Sequence, residues 1–130
     1  MTKKELSQLY WLNREIEEQQ RRLEELEGIA TSSTANITGM PKGNGVSDKV
    51  ASCVAEIIDL KGLIDLNIKK CFYELNRLNR YIDTIDDSQV RMILSLRYIN
   101  GLNWTQIAAS IGGNTSDSVR MIHNRFLEKE

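Results

Sequence analysis

Apolar residues recur at helical spacing in the first part of the chain. From Lys3 to about Glu27 the sequence is rich in Leu, Glu, Gln and Arg, and one apolar row repeats every seven residues: Leu9, Ile16 and Leu23. Leu12 and Leu26 fall between the members of this row. A seven-residue period is typical of helices that pack in a coiled coil. The segment is therefore predicted to be an amphipathic helix that needs a partner.

A change of composition follows this helix. Residues 28–45 contain the only proline and four of the eight glycines, among Ser, Thr and Asn. This composition favours a loop. Its Gly-Met-Pro-Lys-Gly run lacks the Gly-Lys-Ser/Thr ending of a phosphate-binding loop, so no chemistry is assigned to it.

A second, longer helix is predicted to begin near Ser47 as its N-cap. One apolar row repeats every seven residues: Val50, Ile57, Ile64, Cys71, Leu78 and Ile85. A second row is expected four residues after the first, and it contains Val54, Lys61, Ile68, Leu75 and Ile82. The first helix can fold back antiparallel on the N-terminal half of this stripe, but it leaves the part from about Leu75 onward uncovered. That part must meet the C-terminal residues or another subunit, and a homo-oligomer is predicted on this ground.

Three short helical segments end the chain. They are predicted at about 87–99, at 104–111 and at about 115–127. Asn100-Gly101 supplies a stop after the first segment, Asn103 and Gln106 have the spacing of a capping box for the second, and Gly112-Gly113 gives a sharp turn before the third. This is the layout of a helix-turn-helix.

The two helices around that turn need a small residue where they cross, and Ala108 is the candidate. On the third segment, Val119, Ile122 and Phe126 share one side and are predicted to face the core.

The opposite side of the third segment is the candidate DNA-binding surface. Arg pairs with guanine and Asn with adenine in the major groove, which places Arg120 and Asn124 among the base-reading candidates. The candidate set is Thr115, Ser116, Asp117, Arg120, Met121, Asn124 and Arg125. The same residues also suit an ordinary solvated face, because two arginines against one aspartate make a thin positive patch.

The net charge and the composition of the chain restrict which further functions the sequence predicts. The net charge is −1, from 17 basic and 18 acidic residues, so any DNA binding must be local. Cys53 and Cys71 suit neither a disulfide framework nor zinc ligands. His123, the only histidine, is expected to face DNA or to be partly buried. No enzyme activity, cofactor, metal or small-molecule substrate is predicted, and the lack of a membrane-spanning or secretory segment predicts a cytoplasmic protein without membrane contact.

The run Val90-Arg-Met-Ile-Leu-Ser-Leu-Arg-Tyr-Ile-Asn-Gly-Leu-Asn-Trp-Thr-Gln-Ile-Ala108 resembles region four of bacterial sigma factors, and Ser118-Val119-Arg120 continues the match. The chain departs from that pattern at Gly112-Gly113 and at Asp117. The layout of a helical hairpin before such a domain also resembles small phage-encoded transcriptional regulators of Gram-positive bacteria, of the RinA and ArpU types. This resemblance implies regulation of phage or prophage genes together with RNA polymerase.

The sequence thus predicts an all-α protein with a long antiparallel helical hairpin at 1–85, for oligomerisation or partner binding, and a sigma region-four-like helix-turn-helix DNA-binding domain at 86–130. The predicted function is sequence-specific DNA binding in transcription regulation. Two alternatives stay open. One is a DNA-packaging subunit like the small terminase of phages, and the other is a protein-interaction module that binds polymerase or a sigma factor without DNA.

Overall fold

The computed structural model describes the backbone of residues 1–37 and 44–130, with side chains described for residues 1–31 and 48–130. Within those ranges the chain forms helices and turns and no strand, so the predicted all-α class is confirmed. The α-helices are α1 (Lys3–Leu6), α2 (Gln8–Ile37), α3 (Asn44–Asp83), α4 (Ser88–Leu94), α5 (Trp104–Ile111) and α6 (Ser116–Lys129). A π-helix, Ser95–Ile99, directly follows α4.

The helices group into two compact units. The first contains Met1–Asn13 and Lys70–Glu130, and the second contains Arg14–Lys69. The N-terminal residues therefore share a unit with the C-terminal helices. The predicted boundary between residues 85 and 86 divides the chain by function, and it stays a prediction. None of the described helices combines the length and the apolar character that a membrane crossing requires.

Much of the predicted loop is helical. Helix α2 continues to Ile37, and α3 begins at Asn44, so Ser47 lies inside α3 and is not its N-cap. The rest of the predicted loop, 38–43, lies outside the described residues. Composition misled because extending an existing helix adds one hydrogen bond per residue, whereas Gly28 costs only about 1 kcal/mol relative to Ala. Small polar residues are therefore tolerated at the end of a long helix.

In the second unit, α2 and α3 run antiparallel. Asn67 Nδ2 donates to Gln19 Oε1 at 3.0 Å, and exposed ion pairs join Arg22 to Glu56 and Glu27 to Lys61. Asn67 is buried although it is polar. An amide pair in which Asn67 is buried and Gln19 is half-buried is satisfied in only one register, so it fixes how the two helices align.

The buried face of α3 in this unit differs from the prediction in its second row. Cys53 and Asn67 are buried, whereas Val54 is 44% and Ile68 is 37% exposed. The second row therefore follows the first by three residues and not by four. The error arose because Val54 and Ile68 are apolar and Asn67 is polar, so hydrophobicity alone favoured the wrong positions.

In the first unit, the end of α3 and the turn that follows it form the centre of a core. Leu78, Ile82 and Ile85 are buried together with residues from both ends of the chain: Leu6, Leu9, Val90, Leu94 and Tyr98. Leu75 packs against the same cluster. The first helix was predicted to leave this part of the stripe uncovered, but Leu9 of α2 packs there, together with Leu6 and with C-terminal residues of the same chain. The stripe by itself does not require a second subunit.

The C-terminal helices begin and end close to the predicted positions. Asp87 caps α4, and Asn103 and Gln106 form the predicted capping box of α5, with bonds of 2.8 and 2.9 Å. A second core cluster joins α4, α5 and α6 through Ile93, Ile107, Ala108 and Val119. Gly112 and Gly113 both have positive φ, 77° and 70°, which L side chains rarely adopt. These two glycines therefore set the turn between α5 and α6.

The small size of Ala108 generates a stability prediction. Because Ala108 is buried between α5 and α6, Ala108→Leu should lower the free energy of unfolding by about 1–3 kcal/mol through overpacking. Ala109→Leu is the matched control, since the neighbouring residue is exposed and its change should stay within about 0.5 kcal/mol. Urea unfolding followed by circular dichroism measures both. Equal effects of the two substitutions would contradict a tight crossing at Ala108.

Candidate nucleic-acid interface

Helix α6 has one face in the core and one in solvent. Val119 and His123 are fully buried, and Ile122, Phe126 and Leu127 pack partly buried against the core clusters. This confirms Val119 as a core residue and gives Ile122 and Phe126 a more peripheral place. The side chains predicted to contact DNA lie outside this buried face. Thr115, Asp117, Arg120, Met121 and Arg125 are exposed, and Ser116 and Asn124 are half-buried.

One of the candidate residues caps the first turn of α6. The Thr115 hydroxyl accepts a hydrogen bond from the Ser118 amide at 3.1 Å. Ser118 in turn donates its hydroxyl to Asn114 Oδ1 at 3.3 Å. Thr115 therefore defines the start of α6, and removing its hydroxyl would weaken the helix whether or not DNA is bound.

Arg120 and Asp117 form an ion pair on the outward face. Arg120 Nη2 lies 3.4 Å from Asp117 Oδ1, and both side chains are more than half exposed. Exposed pairs of this kind contribute about 0–1 kcal/mol. Breaking this ion pair therefore costs little free energy, and Arg120 can pair with another anion instead. Arg125 forms no ion pair within the described residues, so the outward face has one paired and one unpaired arginine.

The most constrained polar group of the region is His123. Its Nε2 lies 2.6 Å from the Tyr98 hydroxyl, and its Nδ1 lies 2.9 Å from Asn124 Oδ1. Because an amide oxygen only accepts, Nδ1 donates to Asn124, and Nε2 then accepts from Tyr98. The imidazole is neutral in this arrangement. It connects a residue of the π-helix to a candidate DNA-contact residue.

Burial determines the protonation states of His123 and Tyr98. It lowers the pKa of His123, and the positive charges of Lys3 and Arg97 lower it further, while the Asn124 bond acts in the opposite direction. Burial also raises the pKa of Tyr98 to about 12, against the effect of Arg97. Both groups are therefore uncharged near pH 7.

The sequence led us to expect that His123 faces DNA or is partly buried, whereas the structure buries its side chain completely. A signal for this was present. His123 follows Val119 by four residues and precedes Leu127 by four, which is the spacing of a core-facing helix side. A polar residue at that spacing needs internal hydrogen-bond partners, and Tyr98 and Asn124 provide them.

The π-helix before α5 is held by Arg97. The guanidinium donates from Nη1 to the Leu102 carbonyl at 3.1 Å and lies 4.4 Å from the centre of the Trp104 ring. Trp104 is half-buried, and its ring meets that of His123 edge to face at 4.8 Å. Arg97, Trp104 and His123 thus tie the connection between α4 and α5 to α6.

The described residues contain no group of three or more His, Cys, Asp or Glu side chains that could hold a metal ion. Cys53 and Cys71 are both free thiols.

The lowered pKa of His123 predicts how stability depends on pH. The unfolded chain takes up a proton near the ordinary histidine pKa of about 6.5, before the folded chain does. The free energy of unfolding should therefore fall as pH drops below about 6.5, until the lowered pKa of the folded state is reached. Proton NMR of the single histidine measures the folded pKa, and unfolding of the His123→Gln variant should lack this pH-dependent component. A folded pKa at or above the ordinary value would contradict the buried neutral imidazole.

Comparisons of this chain with protein-family models, with curated proteins and with solved structures found no match.

Proposed function

We propose that this protein binds duplex DNA in a sequence-specific way and regulates transcription, with α5, the Gly112-Gly113 turn and α6 as a helix-turn-helix. One observation carries the proposal. Helix α6 is anchored from one side by Val119 and His123, while its other side presents Arg120 and Arg125 to solvent. A rigidly anchored helix with exposed long polar side chains is the arrangement that major-groove readers use.

The packing between α5 and α6 supports this proposal. Ile107, Ala108 and Val119 form a shared cluster, and the joining glycines adopt the positive φ of a sharp turn. Such a crossing of two short helices around a tight turn is typical of helix-turn-helix motifs. The resemblance of residues 90–108 to sigma region four adds support and suggests RNA polymerase as a partner. Action on phage or prophage genes is proposed from the resemblance alone.

Asn124 is the best-positioned base-reading candidate. His123 donates to its Oδ1, which orients the side chain while leaving the two amide hydrogens and one lone pair of the oxygen. Adenine in the major groove needs one donor and one acceptor from an asparagine. An asparagine already fixed by a buried neighbour loses less rotational freedom on binding than a free one.

A second candidate function draws on the ion pair between Arg120 and Asp117. The pair neutralises part of the outward face, and the net charge of the whole chain is −1. Both features favour a module that binds polymerase or a sigma factor through this face without DNA. The two functions differ in whether phosphate contacts form, and the salt dependence of DNA binding separates them.

Substitutions on α6 test DNA binding directly. The test uses a duplex site selected from a random library. If Arg120 contacts a base, Arg120→Ala should weaken the binding free energy by about 1–3 kcal/mol. If Arg120 contacts a phosphate, the slope of log K against log salt concentration should fall in magnitude by about one. Asp117→Asn should raise affinity for random duplex, because it removes a carboxylate that repels phosphate. Fluorescence anisotropy at two salt concentrations measures these effects.

Arg21→Ala serves as the matched control, because Arg21 is an exposed arginine that pairs with Glu18 at the same i,i+3 spacing but lies on α2. Its DNA affinity should equal that of the unchanged protein. An Arg120→Ala, Asn124→Ala double variant that folds and binds DNA with unchanged affinity would remove α6 as the reading element.

Self-association is also part of the proposal, since helix-turn-helix proteins commonly read two half-sites as dimers. Multi-angle light scattering should show a dimer or a small oligomer at about 10–100 µM protein. Weak dimers with Kd near 1 µM assemble in this concentration range. A monomer would contradict the prediction. A ring of about eight or more subunits would favour the DNA-packaging alternative instead.

A further inference from the structure

The first unit contains a cleft that the proposed function does not use. Its volume is about 400 Å³, within the range of about 300–1,000 Å³ that small-molecule sites occupy. The N-terminal helices and the residues around the π-helix form its walls. The lining residues are Lys3, Ser7, Tyr10, Trp11, Arg97, Tyr98, Gly101 and Asn103.

The charged lining of the cleft is entirely cationic. Lys3 and Arg97 line it, and no Asp or Glu does. Lys3 forms no ion pair with any described residue. Both cations also lie near enough to His123 to lower its pKa, which places their charges in the same neighbourhood. Two converging cations without an internal counter-charge favour an anionic ligand.

Arg97 keeps donors for such a ligand. Its structural contacts use Nη1, which donates to Leu102, and the face of the guanidinium, which lies over Trp104. Within the described residues Nε and Nη2 have no acceptor. A guanidinium held in place by stacking presents these donors in fixed geometry, which suits phosphate or carboxylate oxygens.

The aromatic lining completes the site. Trp11 is 62% exposed although tryptophan is usually well buried, and the Tyr10 ring meets it edge to face at 5.1 Å. An exposed indole beside a cationic cleft offers a flat apolar surface for a planar ring. Ser7 and Asn103 add polar groups at the same cleft.

We propose that this cleft binds a small organic anion that carries a planar ring, of the nucleoside monophosphate class. The anionic group lies between Lys3 and Arg97, and the ring packs against Trp11. The site is separate from the outward face of α6, and the assay below contains no DNA. Its failure would therefore leave the proposed DNA binding untouched.

The test is a titration of the full chain with AMP, followed by tryptophan fluorescence excited where AMP does not absorb and repeated by calorimetry. We expect saturable binding with a change in Trp11 emission. Adenosine, which lacks the anion, and inorganic phosphate, which lacks the ring, should each bind at least about tenfold more weakly, since each loses one of two contacts. Equal binding of AMP and phosphate would show an anion site without a ring subsite and would overturn the proposal.

Lys3→Gln should weaken AMP binding about tenfold, as expected for the loss of one charge-assisted contact. Lys4→Gln is the matched control, because Lys4 lies on the same short helix and does not line the cleft. Trp11→Phe should reduce the fluorescence change to the part that comes from Trp104, which lies over Arg97, while calorimetry still detects binding. Circular dichroism establishes that each variant folds. AMP binding weaker than about 1 mM, or equal affinities of the Lys3 and Lys4 variants, would refute the site.

Discussion

Burial of the end of α3 is the constraint on which the first unit depends. Leu78 and Ile82 are almost completely inaccessible, and residues from the N-terminal helices and from α4 complete the cluster around them. Apolar burial contributes about 25 cal/mol per Å², so a cluster that draws on both ends of the chain links their stability. The short helices α4, α5 and α6 are too short to be stable in isolation. They keep their form because this shared core holds α4, and the second cluster then holds α5 and α6 against it.

The polar contacts around His123 depend on this shared core. Tyr98, His123 and Asn124 form a chain of hydrogen bonds that begins in the core and ends at the surface of α6. A buried imidazole is costly unless both nitrogens are satisfied, and here they are. The orientation of Asn124 therefore depends on the packing of the π-helix. Any effect of core substitutions on this asparagine would be transmitted through the ring of His123.

The sequence predicted the parts of this structure that follow from local chemistry. The capping box of Asn103 and Gln106 and the glycine turn were found at their predicted positions, and α6 begins within one residue of its predicted start, because each depends on neighbouring residues. The second row of α3 was misplaced in the second unit, because Asn67 is buried through a partner 48 residues away. The π-helix and the inward position of His123 likewise depend on tertiary contacts, which a hydrophobicity pattern does not encode. For the candidate interface, the sequence identified the outward residues but not the contacts of Arg120 and Asn124.

The π-helix has a consequence for the tolerance of the chain to insertions and deletions. A π-helical turn contains one residue more than an α-helical turn, so it corresponds to a one-residue insertion in an otherwise regular helix. Deleting one residue from Ser95–Ile99 would restore α-helical geometry there, and the positions after the deletion would keep nearly the same angular place, because the extra residue is confined to one wide turn. Arg97 and Tyr98 lie inside that turn, so the deletion would shift their side chains relative to Trp104 and His123. The contacts of these two residues, and not the register of the rest of the chain, therefore limit how well a deletion here is tolerated.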